Sequence, residues 1–254
     1  MTTPPVTSTS ARLAGARAVV TGGARGIGAH IAERLSADGA DVAILDRLTE
    51  RGEPTAERIG GRFIDVDLLH PLSTIAAMKT AIAHLGGIDI LVNNAGILRL
   101  TPLLDISVEE WDHVFDINTR PMLVTTQIAA RSMISAGTAG TIINIASMAG
   151  KSGGAGQAHY AASKAAVIAL TRVSALELGE HDITVNCVCP GYILTEMGAA
   201  TRTDADVERW SSFSPLGRLG TPADVSGVVA FLASSDSDYL TGHAIDVSGG
   251  MAAQ

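Results

Sequence analysis

A tyrosine and a lysine four residues apart, downstream of a serine, are the residues in this sequence best suited to chemistry. Ser147 follows an apolar run, and the segment Tyr160-Ala-Ala-Ser-Lys164 begins thirteen residues later. Helix positions four apart share a face, so the phenol and the ammonium can point into one cleft. A free tyrosine, with a pKa near ~10, is a poor acid–base catalyst at neutral pH, and a nearby ammonium is expected to lower that pKa. Ser147 would hydrogen-bond the substrate oxygen as charge shifts onto it.

A glycine-rich turn near the amino terminus could hold a dinucleotide. Residues 21–28 read TGGARGIG, a G-x-x-x-G-x-G spacing rather than the commoner G-x-G-x-x-G. Glycines permit a tight turn, and a helix starting near Ile27 offers free amide groups and its positive dipole end to a pyrophosphate. Taken alone, the motif also fits a plain glycine-rich turn. The lysine–serine/threonine ending of a nucleotide-triphosphate loop is missing.

An aspartate about twenty residues beyond the glycines favours one form of the cofactor. Asp46 ends the second predicted strand, where a carboxylate can accept from both ribose hydroxyls. A 2′-phosphate would meet like charge there, which favours NAD over NADP. Arg25 and Arg47 leave NADP open, because either guanidinium could hold a 2′-phosphate. A turn aspartate at a strand end is the non-functional alternative.

The elements that must position these residues form a repeating pattern. Short β-branched apolar runs alternate with longer helical stretches, which is typical of a parallel sheet covered by helices. The predicted strands are Ala18–Thr21, Val42–Leu45, Phe63–Val66, Ile88–Val92, Thr141–Ile145, Thr184–Val188 and Ala244–Val247, and helices begin near Ile27, Pro71, Val108, Ala161 and Pro222. Right-handed crossovers would build a doubly wound, Rossmann-like α/β sheet. We expect a single domain over residues 12–254 and a disordered tail over residues 1–11.

Two prolines modify this pattern. The segment Glu50–Gly60 is short and contains Gly52 and Pro54, which predicts a stunted helix. Pro121 lies inside the helical stretch after Val108, which predicts a kink that frees a backbone carbonyl beside Asn118.

Polar residues also end the third and fourth predicted strands. Asp65 and Val66 end the third, and Asn93-Asn94-Ala95-Gly96 ends the fourth. These positions fall at the carboxyl edge of the sheet, where ligands bind in such folds. A simple turn is the alternative for the Asn-Gly segment, because both residue types tolerate left-handed conformations.

Composition excludes several classes of protein. The chain has 254 residues, 46% hydrophobic and 17% charged, so it can bury a substantial core and is not disordered. Its net charge of −8 argues against nucleic acid or an anionic membrane as the main partner. No apolar run approaches ~20 residues, and the first ten residues do not resemble a secretory signal. Cys187 and Cys189 are expected to be packing residues in a reducing compartment, which favours a cytoplasmic location.

The histidines and acidic pairs have simpler explanations than catalysis. No two of the seven histidines have metal-ligand spacing on one helix face, so no metal site is expected. His159, beside Tyr160, is expected to be a surface residue at a helix start. Glu109 and Glu110 lie in a first helical turn, where the helix dipole favours them. Candidate substrate contacts are mostly apolar loop residues: Leu98, Leu100, Met148, Tyr192, Met197, Trp210 and Phe213.

Taken together, these motifs resemble the short-chain dehydrogenase/reductase family in its single-domain form. The resemblance runs from Gly15 to Gly250. The matching segments, in chain order, are TGGARGIG at 21–28, NNAG at 93–96, Asn118, Ser147, YAASK at 160–164, PGYILT at 190–195, RLGTPADV at 218–225 and TGHAIDVSGG at 241–250.

The resemblance implies a role for each matching residue. Tyr160 would be the acid/base, Lys164 would lower its pKa and hold the nicotinamide ribose, Ser147 would orient the substrate, and Asn118 would anchor the water of a proton relay. The cofactor-binding residues would be Gly22, Arg25, Gly26, Ile27, Gly28, Asp46, Asp65, Val66, Asn94, Tyr160, Lys164, Ile193 and Thr195. The resemblance also implies a homotetramer.

The leading hypothesis is an NAD-dependent oxidoreductase that interconverts a secondary alcohol and a ketone. An NADPH-dependent 3-oxoacyl-thioester reductase is a close alternative. A non-catalytic dinucleotide-binding sensor is a third, although a pure binder has no need of Ser147, Tyr160 and Lys164.

Overall fold

A computed structural model describes residues 12–196 and 203–252, so the tail expected at residues 1–11 lies outside the described part. Its seven parallel strands form one sheet in the order β3-β2-β1-β4-β5-β6-β7. The strands are β1 Arg17–Thr21, β2 Asp41–Asp46, β3 Arg62–Asp65, β4 Ile90–Asn93, β5 Gly140–Ile145, β6 Ile183–Pro190 and β7 Ala244–Val247. The predicted doubly wound, Rossmann-like single domain is confirmed.

Helices cover both faces of the sheet. They are α1 Gly26–Ala37, α2 Thr49–Arg58, α3 Pro71–Leu85, α4 Val108–Asn118, α5 Arg120–Ala136, α6 Ala149–Ser152, α7 Ala158–Leu178, α8 Asp204–Ser212 and α9 Pro222–Leu232. Strand neighbours point to opposite faces, so Val20 packs in the cluster containing α1 and α9, whereas Val19 packs with α3 and α5. This is why the strand sequences are apolar at successive positions.

The connection order reverses between β1 and β4. Strand β1 pairs with β2 on one side, Thr21 opposite Leu45, and with β4 on the other, Thr21 opposite Asn93. The crossovers after β1 and β4 therefore leave in opposite directions and open a crevice at the carboxyl ends of the strands. The predicted glycine turn and the Asn-Asn-Ala-Gly segment both begin at this crevice.

The prediction of a stunted helix over Glu50–Gly60 is wrong. Helix α2 runs for ten residues with Pro54 inside it. The absent side chain of Gly52 is what lets the helix pack closely, since a Cβ there would lie 2.0 Å from the ring of Phe63. Tertiary packing against β3 therefore outweighs the poor intrinsic helix propensity of the segment.

The kink expected at Pro121 is not found, and a break between two helices at Thr119 takes its place. The chain breaks at Thr119, whose φ of −125° is not helical, and separates α4 from α5. Pro121 then lies in the first turn of α5, where a backbone donor is not needed. Asn118 consequently ends α4 rather than lying inside a bent helix.

Within the described ranges, no helix is long and apolar enough to cross a membrane.

Candidate active site

The glycine turn after β1 is packed against the start of the segment after β4. Gly22 adopts a φ of +65°, and a Cβ on it would lie 2.7 Å from the Cα of Ala95. A Cβ on Gly28 would lie 2.1 Å from the carbonyl oxygen of Gly22. The Asn94 side-chain amide donates to that same carbonyl at 2.9 Å. Side chains at either glycine would displace the turn from Asn94, so the glycines are required by close backbone approach.

The amino terminus of α1 fits an anionic group. Arg25 caps the helix without a side-chain hydrogen bond, and the first turn contains no acidic residue. The first-turn amides that lack an intrahelical partner and the positive dipole end therefore suit a pyrophosphate. A cavity of about 460 Å³ opens beside this turn, and its lining includes Arg25, Gly26, Thr195 and Pro222.

Asp46 is held at the rim of the same turn. Its carboxylate accepts hydrogen bonds from the backbone amides of Ala24, at 3.0 Å, and Leu48, at 3.1 Å. The negative charge therefore lies beside the glycine turn and is fixed by the loop on either side. Arg47 turns toward Asp67, at 3.9 Å, whereas exposed Arg25 lines the cavity.

The other cofactor-binding candidates lie along the same edge. Asp65 pairs in register with Asp46, and the Val66 amide donates to the Asp46 carbonyl at 3.0 Å. Ile193 forms a bridge with Gly220 in the segment that follows β6. Apart from Tyr160 and Lys164, which lie on α7, the predicted cofactor residues lie in the glycine turn and the first turn of α1, or at and just after the carboxyl ends of the strands.

Lys164 is buried where strands β4 and β5 end. It is 4% exposed, and its ammonium donates to the Ile145 carbonyl at 2.8 Å. The Nζ atom lies 5.9 Å from the centre of the Tyr160 ring. A Cβ on Gly96 would lie 3.3 Å from this Nζ and 3.2 Å from Oδ1 of Asn118, so the glycine keeps the approach to both side chains open. Tyr160, Lys164 and Asn118 therefore lie close together, and their catalytic roles stay predictions.

The titration behaviour of the pair differs from the expectation. Burial raises the pKa of Tyr160 above its ordinary value, and the Ser147 hydroxyl partly offsets that rise. Burial lowers the pKa of Lys164 itself to about 8, because desolvation disfavours the ammonium. The prediction did not include the effect of burial on either group, and the role of Lys164 in lowering the phenol's pKa stays a prediction.

Asn118 joins three segments through its side chain. Its Oδ1 accepts from the Ile97 amide at 2.8 Å, and its Nδ2 donates to the Ile97 carbonyl at 3.0 Å. The same Nδ2 donates to Oγ of Ser163 at 3.0 Å, and that hydroxyl donates to the Tyr160 carbonyl at 2.7 Å. Ser163 was not singled out by sequence, although it lies within the YAASK segment.

Ser147 lies in the short connection between β5 and α6. Its Oγ accepts from the Ala149 amide at 3.1 Å, and the Met148 amide donates to the Pro190 carbonyl at 2.9 Å. These bonds hold the serine hydroxyl in contact with the phenol of Tyr160.

The surface position predicted for His159 is wrong. The residue is 0% exposed, and its Nε2 lies 3.3 Å from Oε1 of Glu110 on α4. Thr101 Oγ1 donates to the same carboxylate oxygen at 2.8 Å. Sequence could not identify this cluster, because Glu110 and His159 are 49 positions apart.

Aromatic residues lie on the side of the site that follows β6. The Tyr192 and Trp210 rings stack with centroids 4.7 Å apart and an interplanar angle of 7°. Phe213, Leu98 and Leu100 are exposed, at 55%, 40% and 59%. Met197 lies outside the described residues. These side chains remain predictions as substrate contacts.

Comparison with known proteins identifies the family. The family model described as enoyl-(acyl carrier protein) reductase matches residues 22–252. The chain is 40% identical over 244 residues to 3-oxoacyl-(acyl-carrier-protein) reductase FabG of Chlamydia pneumoniae, covering 94% of this chain and 98% of that protein. It is 37% identical over 254 residues to L-2,3-butanediol dehydrogenase of Corynebacterium glutamicum, covering 92% and 97%.

A solved structure supports the same family assignment. The crystal structure of a short-chain type dehydrogenase/reductase from Mycobacterium marinum superposes with a TM-score of 0.89 at 39% identity, covering 95% of this chain and 97% of that one. Fold and site define a dinucleotide-dependent oxidoreductase that acts on alcohol and carbonyl groups, using NAD or NADP. The chain belongs to the short-chain dehydrogenase/reductase family.

Proposed function

We propose that this protein is an NAD(H)-dependent oxidoreductase that interconverts a secondary alcohol and a ketone, with Tyr160 as the acid/base. One observation carries the proposal: Lys164, Asn118 and the glycine turn meet at the carboxyl ends of β1, β4 and β5. Bound NAD(H) supplies or accepts the hydride. The protein's own residues place the substrate and move its proton.

Each catalytic residue has a distinct task in this proposal. In alcohol oxidation, the Tyr160 phenolate takes the proton from the substrate hydroxyl; in ketone reduction, the phenol returns it. Ser147 donates a hydrogen bond to the substrate oxygen. Lys164 holds the nicotinamide ribose and stabilises the phenolate when it forms. Asn118 anchors the segment after β4 and the relay water beside its backbone, at the break between α4 and α5.

The cofactor preference follows from charge at the turn. Asp46 is held by the amides of Ala24 and Leu48, so its carboxylate cannot easily withdraw from a ribose bound beside the glycine turn. A 2′-phosphate at that position would face like charge, which supports NAD. Gly22, Gly26, Ile27 and Gly28 would approach the pyrophosphate.

Two alternatives have specific support. An NADPH-dependent 3-oxoacyl-thioester reductase is consistent with the named activity of the Chlamydia pneumoniae relative and with the exposed Arg25 beside the cavity. The butanediol dehydrogenase relative supports a small secondary alcohol instead. A non-catalytic sensor is disfavoured, because Ser147, Tyr160 and Lys164 are all present.

We also propose a homotetramer in the cytoplasm. Large apolar side chains are exposed on α4, α7 and the adjoining segment, including Leu104 at 95%, Val108 at 71% and Leu176 at 84%. Exposed apolar surface of this kind supports an interface between copies of the chain. Light scattering gives the mass directly, with four chains as the expected result.

The cytoplasmic location is supported by the cysteines. Both described cysteines are free and buried, which suits a reducing compartment.

A panel of secondary alcohols and ketones, followed at the nicotinamide absorbance with each cofactor, tests the function. We expect turnover of an uncharged or weakly polar substrate with NAD(H). Activity confined to 3-oxoacyl thioesters with NADPH would support the alternative, and cofactor binding without any turnover would support the sensor.

A further inference from the structure

A partly buried hydrogen-bonded cluster lies one residue from Tyr160 and takes no part in the proposed chemistry. It consists of Thr101, in the segment after β4, Glu110, in the first turn of α4, and His159, in the first turn of α7. Oε1 of Glu110 is bonded by Oγ1 of Thr101 at 2.8 Å and by Nε2 of His159 at 3.3 Å. One carboxylate oxygen therefore joins three separate segments.

The chemistry of the cluster fixes the proton on the histidine. The hydrogen bond from Thr101 lowers the pKa of Glu110, so at neutral pH the carboxylate is ionised and can only accept. Nε2 of His159 must then donate. Nδ1 is buried and, among the described residues, has no hydrogen-bond partner. An apolar side chain would fill the position without that cost, so the specific contribution of the imidazole is its bond to Glu110.

A backbone hydrogen bond joins the same two segments as the cluster. The Thr101 amide donates to the Gly156 carbonyl at 2.9 Å, and Gly156 comes two residues before α7. The segment after β4 is thus tied to the start of the catalytic helix by its backbone and, through Glu110, by a side chain. Leu98 and Leu100, both exposed, belong to the same segment.

A second connection between α4 and α7 lies on the other side of Tyr160. Asn118, at the end of α4, bonds Ser163, which in turn bonds the Tyr160 carbonyl. His159 and Ser163 are four positions apart and share a helix face. The first two turns of α7 are therefore attached to α4 at two points, one on each side of the tyrosine in the sequence.

We propose that Glu110 and His159 are positioning residues that hold the segment 97–107 against the first turn of α7 and so set the wall of the substrate cleft beside Tyr160. They touch neither the reacting atoms nor the nicotinamide. Their loss weakens the binding of the substrate's non-reacting part, which raises KM and leaves kcat nearly unchanged. This kinetic effect rests on the proposed function, whereas the tethering of the segment does not.

The kinetic test compares variants of two carboxylates on α4. Glu110→Ala should raise KM for the substrate about tenfold, with kcat and the Kd for NADH within about threefold of the unmodified enzyme. Glu110→Gln should remain close to the unmodified enzyme, because its single amide oxygen can accept both hydrogen bonds. Asp112→Ala removes the same charge from an exposed position two residues further along α4, and should leave KM unchanged.

Hydrogen–deuterium exchange tests the tethering without any substrate. Peptides covering 97–107 should exchange faster in Glu110→Ala than in Asp112→Ala, while the sheet strands keep their protection. Thr101→Val keeps the side-chain size and removes only its hydroxyl, so it repeats both measurements if Glu110→Ala fails to fold.

Three results would overturn the proposal: unchanged KM and exchange in Glu110→Ala, a Glu110→Gln variant as impaired as the alanine variant, or faster exchange across the whole sheet. If the enzyme turns over no alcohol or ketone, the proposed function is refuted. The exchange rates of peptides 97–107 then still show whether Glu110 tethers this segment, because that measurement needs no substrate.

Discussion

The ammonium group of Lys164 donates a 2.8 Å hydrogen bond to the carbonyl oxygen of Ile145, the last residue of strand β5. Ser147 follows that strand end by two residues, so the bond joins the catalytic helix to the segment that carries the serine. The lysine is almost entirely buried, and desolvation lowers its pKa to about 8. Desolvation of the buried ammonium therefore opposes folding, and the hydrogen bond to Ile145 acts against that cost.

Replacing Lys164 should stabilise the fold at neutral pH. The unfolded lysine, with a pKa of 10.5, binds a proton between about pH 8 and 10.5 that the folded form has lost, so the unmodified protein gains stability as pH rises through that window. Lys164→Met removes this dependence and should be more stable by about 1–3 kcal/mol at pH 7, with no turnover.

Urea unfolding at pH 7 and at pH 10 measures that difference, which should shrink at the higher pH. Lys79→Met replaces an exposed lysine and serves as the control. A Lys164→Met variant less stable than the unmodified protein at pH 7 would show that the bond to Ile145 outweighs the desolvation cost.

Removing the charge of Asp46 should relax the cofactor preference. Asp46→Asn keeps an oxygen that can accept from one of the two backbone amides and removes repulsion of a 2′-phosphate. We expect the ratio of kcat/KM for NADH over NADPH to fall by about tenfold or more. Asp41→Asn, at the exposed opposite end of the same strand, should not change the ratio. An unmodified enzyme that already prefers NADPH would contradict the argument from Asp46.

A methyl group on Gly28 should disrupt the cofactor turn. Its Cβ would lie 2.1 Å from the Gly22 carbonyl and 2.4 Å from Nδ2 of Asn94, and neither can retreat without breaking their bond. Gly28→Ala should weaken NADH binding by more than about tenfold and destabilise the fold by about 1–3 kcal/mol. Gly179→Ala, at a site with open space and a helical φ of −61°, is the matched control. Calorimetric titration with NADH measures the affinity of both variants. Equal affinities in Gly28→Ala and Gly179→Ala would exclude close packing at Gly28.

The fold was predictable because its signals are local. Seven apolar runs bounded by glycines and polar residues predicted the seven strands, and spacing alone placed Tyr160 and Lys164 on one helix face. The parallel topology then placed Asp46, Asp65 and Asn94 along one edge of the sheet.

The missed features depend on distant packing. Helix α2 forms despite Pro54 because Gly52 fits against Phe63 of another element. His159 is buried because Glu110 lies across the interface between α4 and α7. The pKa values of Tyr160 and Lys164 depend on how deeply the fold buries both groups, which spacing along a helix does not reveal.

The substitution Tyr160→Phe tests the central claim most directly, because it removes one hydroxyl and keeps the ring. Turnover, followed at the nicotinamide absorbance, should fall at least about a thousandfold, while the Kd for NADH stays within about threefold of the unmodified enzyme. Tyr239→Phe makes the same change on a fully exposed ring and should leave both quantities unchanged. Turnover retained by the Tyr160→Phe enzyme would contradict the assignment of this tyrosine as the acid/base.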